Sequence, residues 1–179
     1  MHTLNKVLVR VFNGSISLCD EDWDREDIIE SARSFAESET EEYYPQVFDW
    51  RETATAGGWA DKYPENVLLS KEDICRFIKE LEESLEDQLH EMRYRLDNIC
   101  KVSANIKELF DLEYNTHTEH TTVPTWDLLR LSELMFGVYN CDSGFYDTDE
   151  YGAKITKKTI DKVKESPNDW ALVMFDYHY

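Results

Sequence analysis

Apolar positions recur along the chain with two different periods, and these periods place its elements. Behind Ser70, the residues Ile74, Phe77, Ile78, Leu81, Leu85, Leu89, Met92, Leu96 and Ile99 keep an alternating 3–4 spacing. That spacing predicts one long amphipathic helix over about 70–99. Ser70 with Asp73 three residues on reads as a capping-box start, with Asp in place of the usual Glu or Gln. An earlier helix through about Ser38 follows from Ile28, Ile29, Ala32, Phe35 and Ala36. Thr125 opens a third, carrying Leu128, Leu129, Leu131, Leu134 and Met135 and ending at Gly137, and Thr156 caps a short fourth that stops before Pro167. Lys6 to Phe12 and Trp170 to Tyr177 are rich in β-branched and aromatic residues and read as strands that pair with each other.

The intervals are less regular. Glu41 to Arg51 holds the aromatic cluster Tyr43, Tyr44, Phe48 and Trp50 on a predicted short helix, with Pro45 in its first turn. Thr53 to Tyr63, with Gly57-Gly58, reads as a loop, and Thr116 to Pro124 as a linker. Asn140 to Gly152 reads as an acidic loop with Phe145 and Tyr146 packed inward, and continuation of the long helix from Ser103 to Leu112 is left open. The expected fold class is α+β and predominantly helical, with a small sheet from the N- and C-terminal strands. One domain is expected over 1–179, divisible into an acidic helical part (1–100) and a C-terminal extension (101–179).

Composition changes this picture in one respect. Hydrophobic residues make up 41% and aromatic residues 13%, enough for a core and unlike a disordered acidic tail. Met1 to Phe12 lacks a signal-peptide pattern, no run approaches the ~20 apolar residues of a membrane span, and the four cysteines form no C-x-x-C pair. The expectation is a soluble cytoplasmic protein with reduced, partly buried thiols. The charge is the exception: the net value is −19. Residues 20–97 hold 24 Asp and Glu against 9 Lys and Arg, a balance of −15, which leaves −4 for the rest. Solubility asks for a magnitude of only roughly 2–8. A concentrated negative field favours cationic partners and repels nucleic acid and anionic membrane.

Catalytic chemistry has little to rest on. His117-Thr-Glu-His120 lacks the H-E-x-x-H spacing, and the segment is Thr-rich and precedes a proline. The loop from Asp142 through Asp147, Asp149 and Glu150 lacks the oxygen spacing of a calcium-binding EF-hand. With no phosphate-binding loop or nucleophile elbow, we expect no enzyme, no metal and no cofactor.

The acids of the long helix carry a sharper reading. Glu80, Glu83, Asp87 and Glu91 climb away from the apolar seam at spacings of three and four, and the first helix with its flanks adds Asp20, Glu21, Asp22, Asp24, Glu26, Asp27, Glu30, Glu37, Glu39, Glu41 and Glu42. The plainer reading is a pair of solvated helix faces. Duplex DNA, however, carries about one charge per 1.7 Å, so a surplus of 15 matches the phosphates of roughly 25 Å of duplex.

From about Asp24 to about Cys100 the sequence resembles the phage Ocr (overcome classical restriction) antirestriction proteins. The shared pattern is an acidic helix with small residues on its apolar face, Tyr43-Tyr44 followed by Val47-Phe48, a Gly-containing loop, and Lys71-Glu-Asp-Ile74 leading into a long acidic helix. The N-terminal strand and the residues after about Lys101 fall outside it. The resemblance implies a DNA mimic without catalysis, whose carboxylates occupy the DNA channel of a restriction enzyme or other host defence enzyme (CRISPR or similar), and it implies a homodimer. Such a protein binds no nucleic acid and no membrane. The alternative is an immunity- or antitoxin-type protein that neutralises a basic nuclease through aromatic anchors, for which Tyr43, Tyr44, Trp50 and Trp59 are the candidates.

Overall fold

The computed structural model describes residues 1–12, 23–43, 47–102, 125–140 and 142–178. Among them the two predicted terminal strands form the middle of a five-stranded mixed sheet. β1 (His2–Arg10) pairs antiparallel with β5 (Trp170–His178) along its whole length, from His2 opposite His178 to Arg10 opposite Trp170. On its other side β1 pairs in parallel with β4 (Phe145–Asp147). The free side of β5 is taken by two short strands end to end, β2 (Trp50–Glu52) and β3 (Val67–Leu69). Strands from residues 1–100 and from residues 101–179 therefore share one sheet.

Alternation along β1 and β5 sends successive side chains to opposite faces. Val7, Val9, Val11, Val173, Phe175 and Tyr177 meet α1 (Arg25–Glu41), which buries Ile28, Ile29, Ala32 and Ala36 against them. Leu8, Leu172 and Met174 meet Phe77 and Leu81 of α2 (Ile74–Val102) together with Ile160 and Val163 of α4 (Lys157–Glu165). α3 (Thr125–Phe136) packs along α2, where Asp127 accepts hydrogen bonds from Arg95 at 2.9 Å and Asn98 at 3.4 Å. The result is an α+β fold with a covered sheet, α1 on one face and α2 and α4 on the other.

Several expectations need correction. The cap of α2 is Asp73, whose carboxylate accepts the Arg76 N–H at 2.9 Å. Ser70 instead lies buried one strand-end earlier, where its hydroxyl donates to the Trp170 carbonyl at 2.9 Å and accepts the Trp170 N–H at 3.0 Å. Trp50 and Arg51, placed at the end of a short helix from the sequence, belong with Glu52 to a strand because the open edge of β5 supplies its hydrogen-bond partners. β4 likewise lies inside the stretch from Asn140 to Gly152 read as an acidic loop, although Phe145 and Tyr146 are buried as expected. β3 falls between the Thr53 to Tyr63 loop and the long helix, where the sequence predicts no element. Of the long helix's seam, Leu89 and Leu96 are exposed, since the sheet lies only under the N-terminal half of α2. Cys75 and Cys100 are exposed thiols rather than partly buried ones. Thr156 caps α4 as expected, with Thr159 completing a reciprocal capping box. His117, His120, Thr116 to Pro124 and the Ser103 to Leu112 continuation lie outside the described residues.

Candidate functional site: the acidic faces

The 3.6-residue period of α1 places Glu26, Asp27, Glu30, Glu37 and Glu41 on the side away from Ile28, Ala32 and Ala36. Asp24 is the cap, accepting the Asp27 N–H at 3.0 Å, and acids in a first turn also complement the helix dipole. Asp24, Glu26, Asp27, Glu30, Glu41 and Glu42 are exposed, and Glu37 is half-buried. The cations of this helix are already committed. Arg25 bridges Glu65 and Glu72, bonds that hold the Glu65 carboxyl below its ordinary range. Arg33 donates to the Asn66 side chain at 3.0 Å and to the Glu65 carbonyl at 3.2 Å. Arg51, arriving from β2, pairs with Glu41 and stands 3.6 Å from Glu37. The stripe is open at its N-terminal end and partly neutralised at its C-terminal end.

On α2 the acids expected to climb the helix do share a side, but it runs from a buried Glu80 to the wall of a cleft rather than along open solvent. Glu80 is buried, and Lys6 of β1 donates to its carboxylate at 2.8 Å, Tyr63 at 2.6 Å, with Lys62 Nζ 3.2 Å from the other oxygen. Burial opposes its ionisation, yet the bonds from Lys6, Tyr63 and Lys62 prevail and hold the carboxyl at about 2. Burial together with the bond to that carboxylate pushes the Tyr63 hydroxyl up to about 12. Glu83 lies 3.6 Å from both Lys62 and Lys79, and Glu91 is 2.6 Å from Arg95. Glu83, Asp87 and Glu91 line a cleft of about 850 Å³ whose other walls include Lys6, Lys62 and Arg95. Asp87 is exposed at its mouth.

The two acidic helices thus lie on opposite faces of the sheet, and their carboxylates form two separate patches. Asp20, Glu21 and Asp22 lie outside the described residues, as does Tyr44. Of the other aromatic candidates, Tyr43 is half-buried against Tyr139 and Tyr146, with ring centroids 4.7 and 5.8 Å away. Trp59 is half-buried in the wall of the cleft. Trp50 stands exposed on the sheet edge, edge-on to His2 at 5.9 Å.

Sequence reasoning missed Lys6, Lys62 and Tyr63. One signal was present: a lysine within an apolar strand is buried only beside a counter-charge. It also missed Asp176, buried in β5, which His2 approaches at 2.9 Å and to which Gly58 N–H donates at 3.0 Å. Gly57, at φ +52°, is required there, because a Cβ would stand 2.2 Å from the Asp176 carboxylate.

Among the described residues no helix is long and apolar enough to cross a membrane, and no group of three or more His, Cys, Asp or Glu is placed to hold a metal. Compared with protein-family models, curated proteins and solved structures, the chain matches none.

Proposed function

We propose that the protein is an inhibitor that occupies the nucleic-acid-binding groove of a cationic partner, with the outer face of α1 standing in for a phosphate strand. The observation that carries this reading is the open carboxylate stripe of α1, whose arginines are engaged elsewhere. A helix of 17 residues is about 25 Å long. Over that length one DNA strand, at 3.4 Å per phosphate, carries about seven charges. Asp24, Glu26, Asp27, Glu30, Glu37, Glu41 and Glu42 supply a comparable number, with Glu37 and Glu41 shared with Arg51. The match is to one strand rather than a duplex, because the acids of α2 face the other way. The resemblance to the antirestriction proteins points to the partner class: a host DNA-binding defence enzyme met in the host cytoplasm by a phage or mobile-element protein. No catalysis is required of the inhibitor.

Competition tests the reading. Against a panel of restriction and other DNA-dependent defence nucleases, the protein should displace a labelled duplex from one of them, with affinity falling steeply as salt rises. Replacing Glu26, Asp27, Glu30 and Glu41 together by glutamine should abolish displacement, while Glu83, Asp87 and Glu91 replaced in the same way should leave most of it. Displacement that is indifferent to salt, or that survives the α1 variant, defeats the proposal.

A second reading, the antitoxin-type interface, is favoured by one observation. The C-terminal half of α2 and the outer side of α3 expose Tyr94, Leu96, Trp126, Leu129 and Phe136. Single alanine substitutions at Trp126 or Tyr94 that remove partner binding, with the α1 variant silent, would select it.

A further inference from the structure

The C-terminal region holds a pocket opposite in character to α1. Two tight turns shape it. The glycine that ends α3, Gly137, has φ +71°, and its carbonyl accepts the Ala153 N–H at 2.8 Å. A Cβ there would lie 2.8 Å from the Lys154 Cβ, so only glycine lets these two turns seat on each other. The second turn closes where Asp147 and Gly152 exchange backbone hydrogen bonds at 2.9 and 3.3 Å, and it holds Tyr151 at φ +50°. For a bulky residue that backbone conformation is an outlier, and such outliers gather where function holds them.

The seating of one turn on the other has a consequence for side chains. Phe136 precedes Gly137 and Tyr151 precedes Gly152, so both rings arrive at the rim of one pocket of about 340 Å³. They are 80% and 74% exposed, the two most exposed large hydrophobic side chains among the described residues. The pocket's volume falls in the roughly 300–1,000 Å³ range of small-molecule sites. Its remaining walls are Lys154, Lys158 and Lys162 with the hydroxyl residues Thr156 and Thr159, against a single acid, Glu150.

The three lysines are differently placed. Lys162 is held by Asp147 at 2.8 Å, and Lys154 donates to the Met135 carbonyl at 3.0 Å. Lys158 is exposed and makes no hydrogen bond or ion pair among the described residues. The capping box of α4 engages the N–H groups of Thr156 and Thr159, and the lysine side chains beside it carry the charge of the site. Cations beside two uncovered rings ask for a ligand with anionic oxygens and a planar aromatic face. A polymeric nucleic acid meets the −19 charge of the chain along its whole length, whereas a monomer meets only the local surface within a Debye length of about 8–10 Å.

We propose that this pocket binds a mononucleotide, its phosphate at Lys158 and Lys154 and its base against both Tyr151 and Phe136. The full chain titrated with AMP, GMP, CMP and UMP, followed by backbone amide shifts, should saturate with shifts confined to residues 136–138 and 150–162. Inorganic phosphate and the free nucleosides should each bind about tenfold more weakly, because each supplies one of the two contacts. Lys158→Gln and Phe136→Ser, both at exposed positions, should each weaken nucleotide binding about tenfold without moving the melting temperature. Absence of saturation with all four nucleotides, equal affinity for inorganic phosphate, or binding unaltered in both variants would overturn the proposal. The α1 glutamine variant should bind nucleotide normally, so failure here and failure of the inhibitor reading are separable.

Discussion

α1 and α2 are the two acidic helices of this protein, and they use their carboxylates in opposite ways. α1 faces solvent with Glu26, Asp27 and Glu30, and its arginines are drawn aside to Glu65, Glu72 and Asn66. α2 turns Glu80 into the core, where Lys6, Tyr63 and Lys62 converge on one carboxylate, and lines a cleft with the acids that follow. A count of acids treats the two helices alike. What separates them is the distribution of cations around each, since a carboxylate beside a buried lysine is a structural group and one without a partner is an external field.

The largest effect that sharpens this contrast is at Glu80. Glu80→Ala leaves Lys6 buried without its partner and should cost about 3–5 kcal/mol in urea unfolding. The double variant Lys6→Met with Glu80→Leu removes both charges and should lose much less than the single one. If Glu80→Ala costs no more than a surface substitution, the distinction between the helices collapses.

Acid titration comes next in size. The Glu80 carboxyl lies at about 2 in the folded chain against 4.5 when unperturbed. A lowered folded value means its contribution is complete above about pH 4.5 and is lost as the pH falls towards 2. The full gap is worth about 3 kcal/mol. Stability followed from pH 6 to pH 2 should fall along this limb, and Glu80→Gln should flatten it, whereas Glu30→Gln should not.

The helix starts give a smaller effect of equal size on the two sides. Asp24→Ala and Asp73→Ala each remove a side-chain acceptor from a first turn and should cost about 1 kcal/mol by thermal melting. The smallest effect belongs to the α1 stripe itself: Glu26→Gln, Asp27→Gln or Glu30→Gln should each change stability by less than about 0.5 kcal/mol. A stripe whose removal destabilises the fold would be structural after all.

The parts of the fold visible in the sequence are those whose signals are local. The period of α2, the Thr156 cap of α4, the Gly137 stop of α3 and the β-branched ends of the chain each declare themselves within one segment. β2 and β3 do not, because three residues are too few to show a period and their strand character comes from the edge of β5. Phe145–Asp147 is similar: an acidic, turn-rich stretch becomes a strand because β1 has a free side. The acids of α1 are legible as an outward face because their spacing opposes Ile28, Ala32 and Ala36. The same logic puts Glu80 on an outward face, yet its true partner, Lys6, lies 74 positions away. No helical spacing contains that information.

The arrangement of β5 also sets a schedule for the ribosome. β1 emerges about 160 residues before the strand that covers it. At 5–20 residues per second the interval is roughly ten to thirty seconds. During it Val7, Leu8, Val9 and Val11 wait without the strand that pairs with β1 along its whole length, the kind of exposed apolar edge that couples to copies of itself. Asn5 and Lys6 stand at the head of that run, and a charge beside an unavoidable hydrophobic stretch restrains such coupling. The lysine that later locks onto Glu80 thus guards the nascent chain before Glu80 has been made.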